Sequence, residues 1–230
     1  MNEQTKEPQY QGLVELRKQS GLTTFGLMSN GVWEGDPKRI CFVLARYKFV
    51  AKMFSGMNRV LEVGCADAFG TRLVQQEVPH VVAVDFDPLF VDDVNARMEE
   101  RWPLTCKVHD MLSGPMDTQF DGAYSIDVLE HILPKDEDRF IGNIVRSLTP
   151  TGTCIIGTPS LESQTYASKA SKEGHVNCKS APQLKALMQQ YFHNVFMFSM
   201  NDEVVHTGFH PLAHYLFALC AGVKKPTDQG

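Results

Sequence analysis

A glycine-bearing turn carries the first residues whose types and spacing could do chemistry. Residues 60–70 read VLEVGCADAFG, in which an apolar run ends at a turn around Gly64 and a helix is predicted to follow. Such a turn lets a ligand approach the backbone closely and meet a helix N-terminus. Glu62 stands two positions before Gly64. The pattern indicates a cofactor-binding turn, and an ordinary strand–turn–helix unit without a ligand is the alternative.

Acidic residues end the next apolar runs. Asp85 closes the run VVAVD and lies 21 positions after Gly64, where a carboxylate can accept hydrogen bonds from a ribose diol. Phe86 follows it and can pack on an adenine or serve as a rim aromatic. Asp110 and Met111 follow the third run, although a lone Asp at that place is also a common turn former. These positions together indicate an adenosine site.

Four histidines follow strand ends, the edge at which open α/β sheets bind their ligands. His131 closes the run DVLEH that begins at Asp127, and His175 lies in the long connection after the fifth predicted strand. His206 and His210 lie in the connection after the sixth. Each can serve as a general base, because an imidazole titrates near neutral pH. Ordering of the local loop is the alternative role for each.

The sequence assigns no metal ligands, and whether a divalent metal ion assists is left open. His206, His210 and His214 share a spacing of four, but Pro211 lies between the second and the third and interrupts a helix. The cysteines form no C-x-x-C pair either.

The elements that must position these residues alternate between short β-branched runs and helical stretches, which predicts a mostly parallel sheet with helices on both faces. Seven strands are predicted, at 59–63, 81–85, 105–109, 122–126, 152–158, 194–200 and 213–222. Helices are predicted at 36–54, 71–76, 89–100, 136–148 and 181–191. The last two strands are joined without a crossover helix, so they should be antiparallel.

Taken in order over about residues 58–160, these motifs resemble those of class I S-adenosylmethionine (SAM)-dependent methyltransferases, which have a Rossmann-like fold ending in an antiparallel strand pair. DVLEH at 127–131 resembles the small-molecule, sugar and quinone-precursor O-methyltransferases among them. The resemblance implies that SAM is the cofactor. It also implies a set of cofactor-binding residues: Glu62, Gly64, Cys65, Ala66, Gly70, Asp85, Phe86, Asp110, Met111 and Asp127. The chain has Ala66 and Ala68 where that family often has glycine, and alanine disfavours positive φ.

The chain is predicted to divide into an N-terminal lid or cap (1–55), a SAM-binding domain (56–223) and a flexible tail (224–230). Substrate loops are predicted at 159–180 and 201–212. Within the lid, residues 20–35 are glycine-rich and are predicted to form a loop or mobile flap.

The resemblance implies O-methylation of a small metabolite, a sugar derivative or a surface-polysaccharide precursor, by in-line transfer with histidine-assisted deprotonation. N-methylation of a small amine or protein is the nearest alternative. A SAM-binding regulatory module without activity and a nicotinamide-dependent oxidoreductase are alternatives from other classes.

Composition limits the partners. The chain has 230 residues, 43% hydrophobic and 21% charged, with a net charge of −5, so a basic field for nucleic acid or anionic membrane is not expected. Six scattered cysteines and a polar N-terminal stretch predict a cytoplasmic protein. The resemblance implies a small-molecule or sugar-type acceptor as its partner. The sequence leaves the oligomeric state open.

Overall fold

The computed structural model describes residues 3–224, which build one mixed sheet of eight strands in the order β3-β2-β1-β4-β5-β8-β6-β7. The strands are β1 Arg59–Val63, β2 His80–Asp85, β3 Thr105–Val108, β4 Phe120–Ile126, β5 Leu148–Pro159, β6 Phe192–Asn201, β7 Val204–His206 and β8 Tyr215–Val223. β1 to β5 pair in parallel, whereas β8 is antiparallel to both β5 and β6. The predicted Rossmann-like arrangement with an antiparallel terminal pair is confirmed.

The eighth strand is a correction to the predicted seven. β7 lies within the segment 201–212, which the sequence predicts to be a loop, and it pairs antiparallel with β6 through Asn201 and Val204. Asp202, at the turn between them, has a φ of 50°. Asp tolerates this left-handed conformation, and the β-branched pair Val204 and Val205 then continues the hairpin. The sequence pattern that would predict β7 is weak, because the strand has only three residues.

Eight helices surround the sheet in the described residues: α1 Gln11–Ser20, α2 Leu27–Gly35, α3 Lys38–Met53, α4 Thr71–Gln75, α5 Pro88–Ala96, α6 Glu137–Arg146, α7 Lys169–Gly174 and α8 Ala181–Met188. α3 buries Tyr47, Val50 and Ala51 against one face of the sheet. On the other face α6 and α8 contribute Phe140 and Leu184 to the larger core. Helices therefore cover both faces, as predicted. No helix within residues 3–224 is both long and apolar enough to cross a bilayer.

The glycine-rich segment 20–35 is partly helical, which corrects the predicted loop. α2 begins after Gly26, where an added Cβ would lie 2.3 Å from the Cβ of Asp67. The backbone N–H of Ser29 in α2 donates to the Asp67 carboxylate at 2.6 Å, which joins the helix to the glycine turn. The predicted tail lies outside the described residues from 225 onward.

Candidate functional site

The predicted turn wraps around Gly64 at the carboxyl end of β1. Gly64 has a φ of 76°, and an added Cβ would lie 2.3 Å from a methyl group of Val128. Ala66 and Ala68 also adopt left-handed conformations, with φ of 44° and 51°. Such a conformation costs an L-residue about 1–2 kcal/mol. The chain therefore keeps the glycine-type turn although two of its positions are alanine.

Glu62 lies beneath this turn and not in the cavity. Its buried carboxylate accepts hydrogen bonds from the hydroxyls of Tyr47 (2.8 Å), Thr71 (2.6 Å) and Tyr124 (2.7 Å). Burial raises the pKa of Glu62 to about 7, although the three hydroxyl donors favour the charged form. Glu62 thus ties β1 to α3, α4 and β4, and its support of the turn is indirect.

Gly70 leaves room for α3. A Cβ at this position would lie 2.3 Å from the ring of Tyr47, so only glycine lets α3 lie this close to the start of α4. The glycine turn and α3 are in this way packed as one unit. Gly64, Cys65, Ala66 and Gly70 all line the cavity described below.

Asp85 and Asp110 lie at the neighbouring strand ends, outside that cavity. One oxygen of Asp85 accepts from the N–H of Ala66 (2.9 Å) and the other from the N–H of Asp87 (3.0 Å). Asp110 accepts from the N–H of Leu112 (2.8 Å) in a turn. Every carboxylate oxygen has a second lone pair, so both residues retain acceptor capacity toward a ligand.

Phe86 and Met111 differ in how they meet solvent. The Phe86 ring is 73% exposed beside Asp85, which leaves its face open to a planar ligand. The side chain of Met111 is buried in the larger core, so only its backbone can meet a ligand.

Asp127 pairs with a residue that the sequence reasoning missed. Asp127 follows β4 with a φ of 59°, and its carboxylate forms an ion pair with Arg46 of α3. The Arg46 guanidinium lies 3.9 Å from the ring centroid of Tyr215. Burial opposes the charge of Arg46, but Asp127 and the other acidic groups around the guanidinium together outweigh it and raise the pKa of Arg46. One basic residue among the five of a predicted amphipathic helix gives no signal of this pairing.

His131 and His175 come together, with Glu130 beside them. Their ring centroids are 5.2 Å apart. Nδ1 of His131 lies 2.9 Å from the carbonyl oxygen of Gly174, and Nδ1 of His175 lies 2.8 Å from Oε1 of Gln164. Glu130 is buried, and the sequence reasoning named only its neighbours.

His206 and His210 lie outside this cluster and do not line the cavity. Nε2 of His206 is 2.8 Å from Oδ1 of Asn201, and its Nδ1 accepts from the N–H of Gly208 at 2.9 Å. Nδ1 of His210 lies 2.6 Å from the hydroxyl of Ser199. Both rings therefore order the β6–β7 region, and their predicted catalytic role stays a prediction.

A cavity of about 480 Å³ lies at the carboxyl edge of the sheet and joins the glycine turn to the cluster of Glu130, His131 and His175. One wall is the glycine turn with Asp127, and the opposite wall is α2 and α3 with Arg46. The segment 159–175, with Gln164 and His175, forms the third wall. A cavity that joins a ligand-accessible turn to titratable side chains suits a reaction between a bound cofactor and a small second substrate.

Comparison with known proteins agrees with this geometry. Residues 61–156 match a family described as a methyltransferase domain. A probable SAM-dependent methyltransferase of Mycolicibacterium smegmatis is 30% identical over 115 residues, which are 49% of this chain and 42% of that protein. One of Mycobacterium tuberculosis is 29% identical over 101 residues, covering 44% of this chain and 35% of that protein. The matched part thus spans less than half the length of these relatives.

Solved structures show the same fold. The N-methyltransferase NodS from Bradyrhizobium japonicum, in complex with S-adenosyl-L-homocysteine (SAH), superposes with a TM-score of 0.60 at 18% identity, covering 83% of this chain and 90% of that one. A TehB-like SAM-dependent methyltransferase from Corynebacterium glutamicum superposes with a TM-score of 0.61 at 16% identity, covering 94% and 100%. At these identities the likeness concerns the fold.

Proposed function

We propose that this chain, whose central part is a class I SAM-dependent methyltransferase domain, transfers a methyl group from SAM to a hydroxyl of a small acceptor. The acceptor would be a small metabolite, a sugar derivative or a surface-polysaccharide precursor. The observation that carries the proposal is that one cavity joins the Gly64 turn and Asp127 to the cluster of Glu130, His131 and His175. A cofactor turn and a set of proton acceptors thus face the same space.

The residues present fit SAM. The left-handed turn at Gly64, which a Cβ would obstruct, leaves backbone open to the methionine part. Asp85 retains lone pairs for the ribose hydroxyls, and the open face of Phe86 can cover the adenine. Asp110 and the backbone of Met111 would meet the adenine edge. SAM supplies a methyl group on a sulfonium, which is already a good leaving group, so the protein's task is alignment and exclusion of water.

The acceptor end of the cavity supplies proton acceptors. A hydrogen bond from Nδ1 to a carbonyl leaves Nε2 of His131 and of His175 as a free lone pair. Either can take the proton of an acceptor hydroxyl while its oxygen attacks the methyl carbon. α2 and α3 line the opposite side of the cavity, and this position supports the proposal that residues 1–55 form a lid.

The cofactor half of the proposal is tested by calorimetry of the full chain with SAH, SAM and NAD. We expect micromolar binding of SAH and SAM and none of NAD. Asp85→Ala should weaken SAH binding by tenfold or more, whereas Asp92→Ala on the exposed side of α5 should not. Urea unfolding of both variants checks that they remain folded. Binding of NAD in place of SAH would refute the proposal.

The acceptor half is tested with methyl-labelled SAM and a panel of small hydroxyl and amine compounds. Label on hydroxyl oxygens supports the proposal. Label on amines alone would replace O-methylation by N-methylation, and SAH binding without transfer to any acceptor would favour a regulatory module.

A further inference from the structure

Three side chains in the wall of the cavity converge on one point. Glu130 and His131 lie in the 3₁₀ turn Leu129–His131 after β4, and His175 follows α7. One ligand atom from each lies within 4.8 Å of the other two. We propose that Glu130, His131 and His175 bind a divalent transition-metal cation that holds the acceptor hydroxyl. The role of the cation rests on the proposed function, but the site itself does not.

The hydrogen bonds of the two imidazoles set their tautomers. A ring nitrogen that faces a carbonyl oxygen must carry the proton, so Nδ1 is the donor in His131 and in His175. The amide of Gln164 is itself oriented, because its Nε2 donates to the carbonyl of Ser160 at 3.1 Å. The lone pair is therefore on Nε2 of both rings. Histidines that bind metals show this same arrangement, in which the second nitrogen donates to a carbonyl or carboxylate.

Glu130 is a buried carboxyl group with few polar contacts inside the protein. Its side chain is 1% exposed, and it takes part in none of the ion pairs formed by the described residues. Its one side-chain partner there is the Thr158 hydroxyl, at 3.2 Å. Arg46, on the same cavity, is already paired with Asp127. The Glu130 carboxyl group therefore has oxygen lone pairs that no other side chain in the described residues uses, and these can bind a cation.

The backbone holds the donors together. The carbonyl oxygen of Glu130 accepts from the N–H groups of Val176 (2.8 Å) and Asn177 (3.0 Å), which fasten the segment after His175 to the turn that carries Glu130. Metal–ligand bonds of about 2.0–2.2 Å place the ligand atoms about 3 Å apart. Side-chain rotations that move these atoms by about an ångström or two would therefore complete the site. The sequence assigns no metal ligands because positions 130, 131 and 175 have no recognisable metal-binding spacing along the chain.

Two imidazoles and one carboxylate suit Mn²⁺, Fe²⁺, Co²⁺ or Zn²⁺ and leave further positions open. A hydroxyl oxygen bound there has a lowered pKa and gives its proton to water. Its electron pair forms the bond to the methyl carbon while the carbon–sulfur pair returns to sulfur, which yields a methyl ether, SAH and one proton. The cation thus replaces the imidazole as the means of activating the hydroxyl, and a chelator distinguishes the two.

The test is a titration of the full chain, freed of metal with EDTA, with CoCl₂. We expect one equivalent to bind and to produce the visible absorption bands of Co²⁺ with nitrogen ligands. His175→Ala and Glu130→Gln should each weaken Co²⁺ binding by tenfold or more, and His193→Ala, at an exposed position in β6, should not. Glu130 is buried, so Glu130→Gln can impair folding. If the Glu130→Gln variant does not fold, His175→Ala alone decides the test.

SAH calorimetry of the same samples separates this inference from the proposed function. If SAH binds and Co²⁺ does not, or if Co²⁺ binds His175→Ala as tightly as the native chain, the cation site is refuted. If Co²⁺ binds as expected and SAH does not, the site stands and the proposed function fails. Turnover that is lost with EDTA and restored by Mn²⁺ or Co²⁺ supports the assigned role.

Discussion

Arg46 in the middle of α3 and Asp127 at the end of β4 are 81 positions apart in sequence and form an ion pair at 2.5 Å. Asp127 is held in a left-handed conformation, and the guanidinium also covers the ring of Tyr215 on β8. One contact therefore joins the predicted lid, the centre of the sheet and its antiparallel end. It closes the cavity at the place where the cofactor turn meets the acceptor wall.

We expect Arg46→Ala to lower the free energy of unfolding by about 1–3 kcal/mol, because it leaves the Asp127 carboxylate without its donor and uncovers Tyr215. SAH affinity should fall as well, since α3 then loses its anchor at the turn. Urea unfolding and calorimetry measure the two effects. Lys38→Ala is the matched control, as its pair with Asp36 is exposed and should contribute less than about 0.5 kcal/mol. Equal effects of the two variants would contradict the anchoring role.

The alanines of the turn lead to an unusual expectation. Ala66→Gly and Ala68→Gly should each leave the free energy of unfolding unchanged or raise it by up to about 1 kcal/mol. Glycine relieves the strain of the left-handed conformation, and the greater freedom that it gives the unfolded chain offsets part of this gain. Gly64→Ala should lower the free energy of unfolding by about 3 kcal/mol or more, because the φ of Gly64 is positive and the added Cβ would clash with Val128.

Gly142→Ala in α6 provides the control for these variants, since a Cβ there would meet no atom within 4 Å. We expect it to stabilise the protein by about 0.5–1 kcal/mol. Alanine is thus favoured in the helix and disfavoured in the turn. A clear loss of stability in Ala66→Gly, measured by urea unfolding, would show that the turn is not strained.

The sequence predicts the sheet well because its signals are local. Val81 to Val84 form a continuous apolar run, which is characteristic of a strand buried on both faces, and the shortness of the link between β6 and β8 fixes their direction. β7 and α2 are missed because short or glycine-rich segments take their structure from tertiary contacts. The N–H of Ser29 bound to Asp67 is one such contact.

The residues of the candidate site also differ in whether the sequence alone predicts them. Gly64 and Asp85 are predicted from motif and spacing, and the structure places Gly64 in the cavity wall and Asp85 at the adjacent strand end. Arg46 and Glu130 are not found, because nothing near them in sequence shows that α3 crosses the end of β4 or that His175 returns to the DVLEH turn. Glu62 is found by motif, yet its contacts show a buried support beneath the turn.

Glu62 predicts a pH dependence of stability. Burial raises its pKa from 4.5 to about 7 on folding, so the folded state holds the proton more tightly than the unfolded state. The resulting stability is fully present below pH 4.5 and is lost as the pH rises through 7. Between pH 5 and 8 we expect the free energy of unfolding of the native chain to fall by about 2–3 kcal/mol relative to that of Glu62→Gln, whose side chain cannot ionise. Urea unfolding at several pH values measures this, with exposed Glu100→Gln as control. A constant difference between the native chain and Glu62→Gln would contradict it.

The four histidines should separate by position once an acceptor is known. His131→Ala and His175→Ala should lower kcat about 100-fold or more, because each removes a free Nε2 from the cavity, whether that atom takes a proton or binds a cation. His206→Ala and His210→Ala should keep kcat within about threefold, since both rings lie outside the cavity and are engaged within the β6–β7 region. Steady-state kinetics of the four variants with one acceptor make the comparison. A loss of kcat in His206→Ala or His210→Ala equal to that in His175→Ala would place the reacting hydroxyl at the β6–β7 hairpin, because only a group in contact with it can affect the chemical step that strongly.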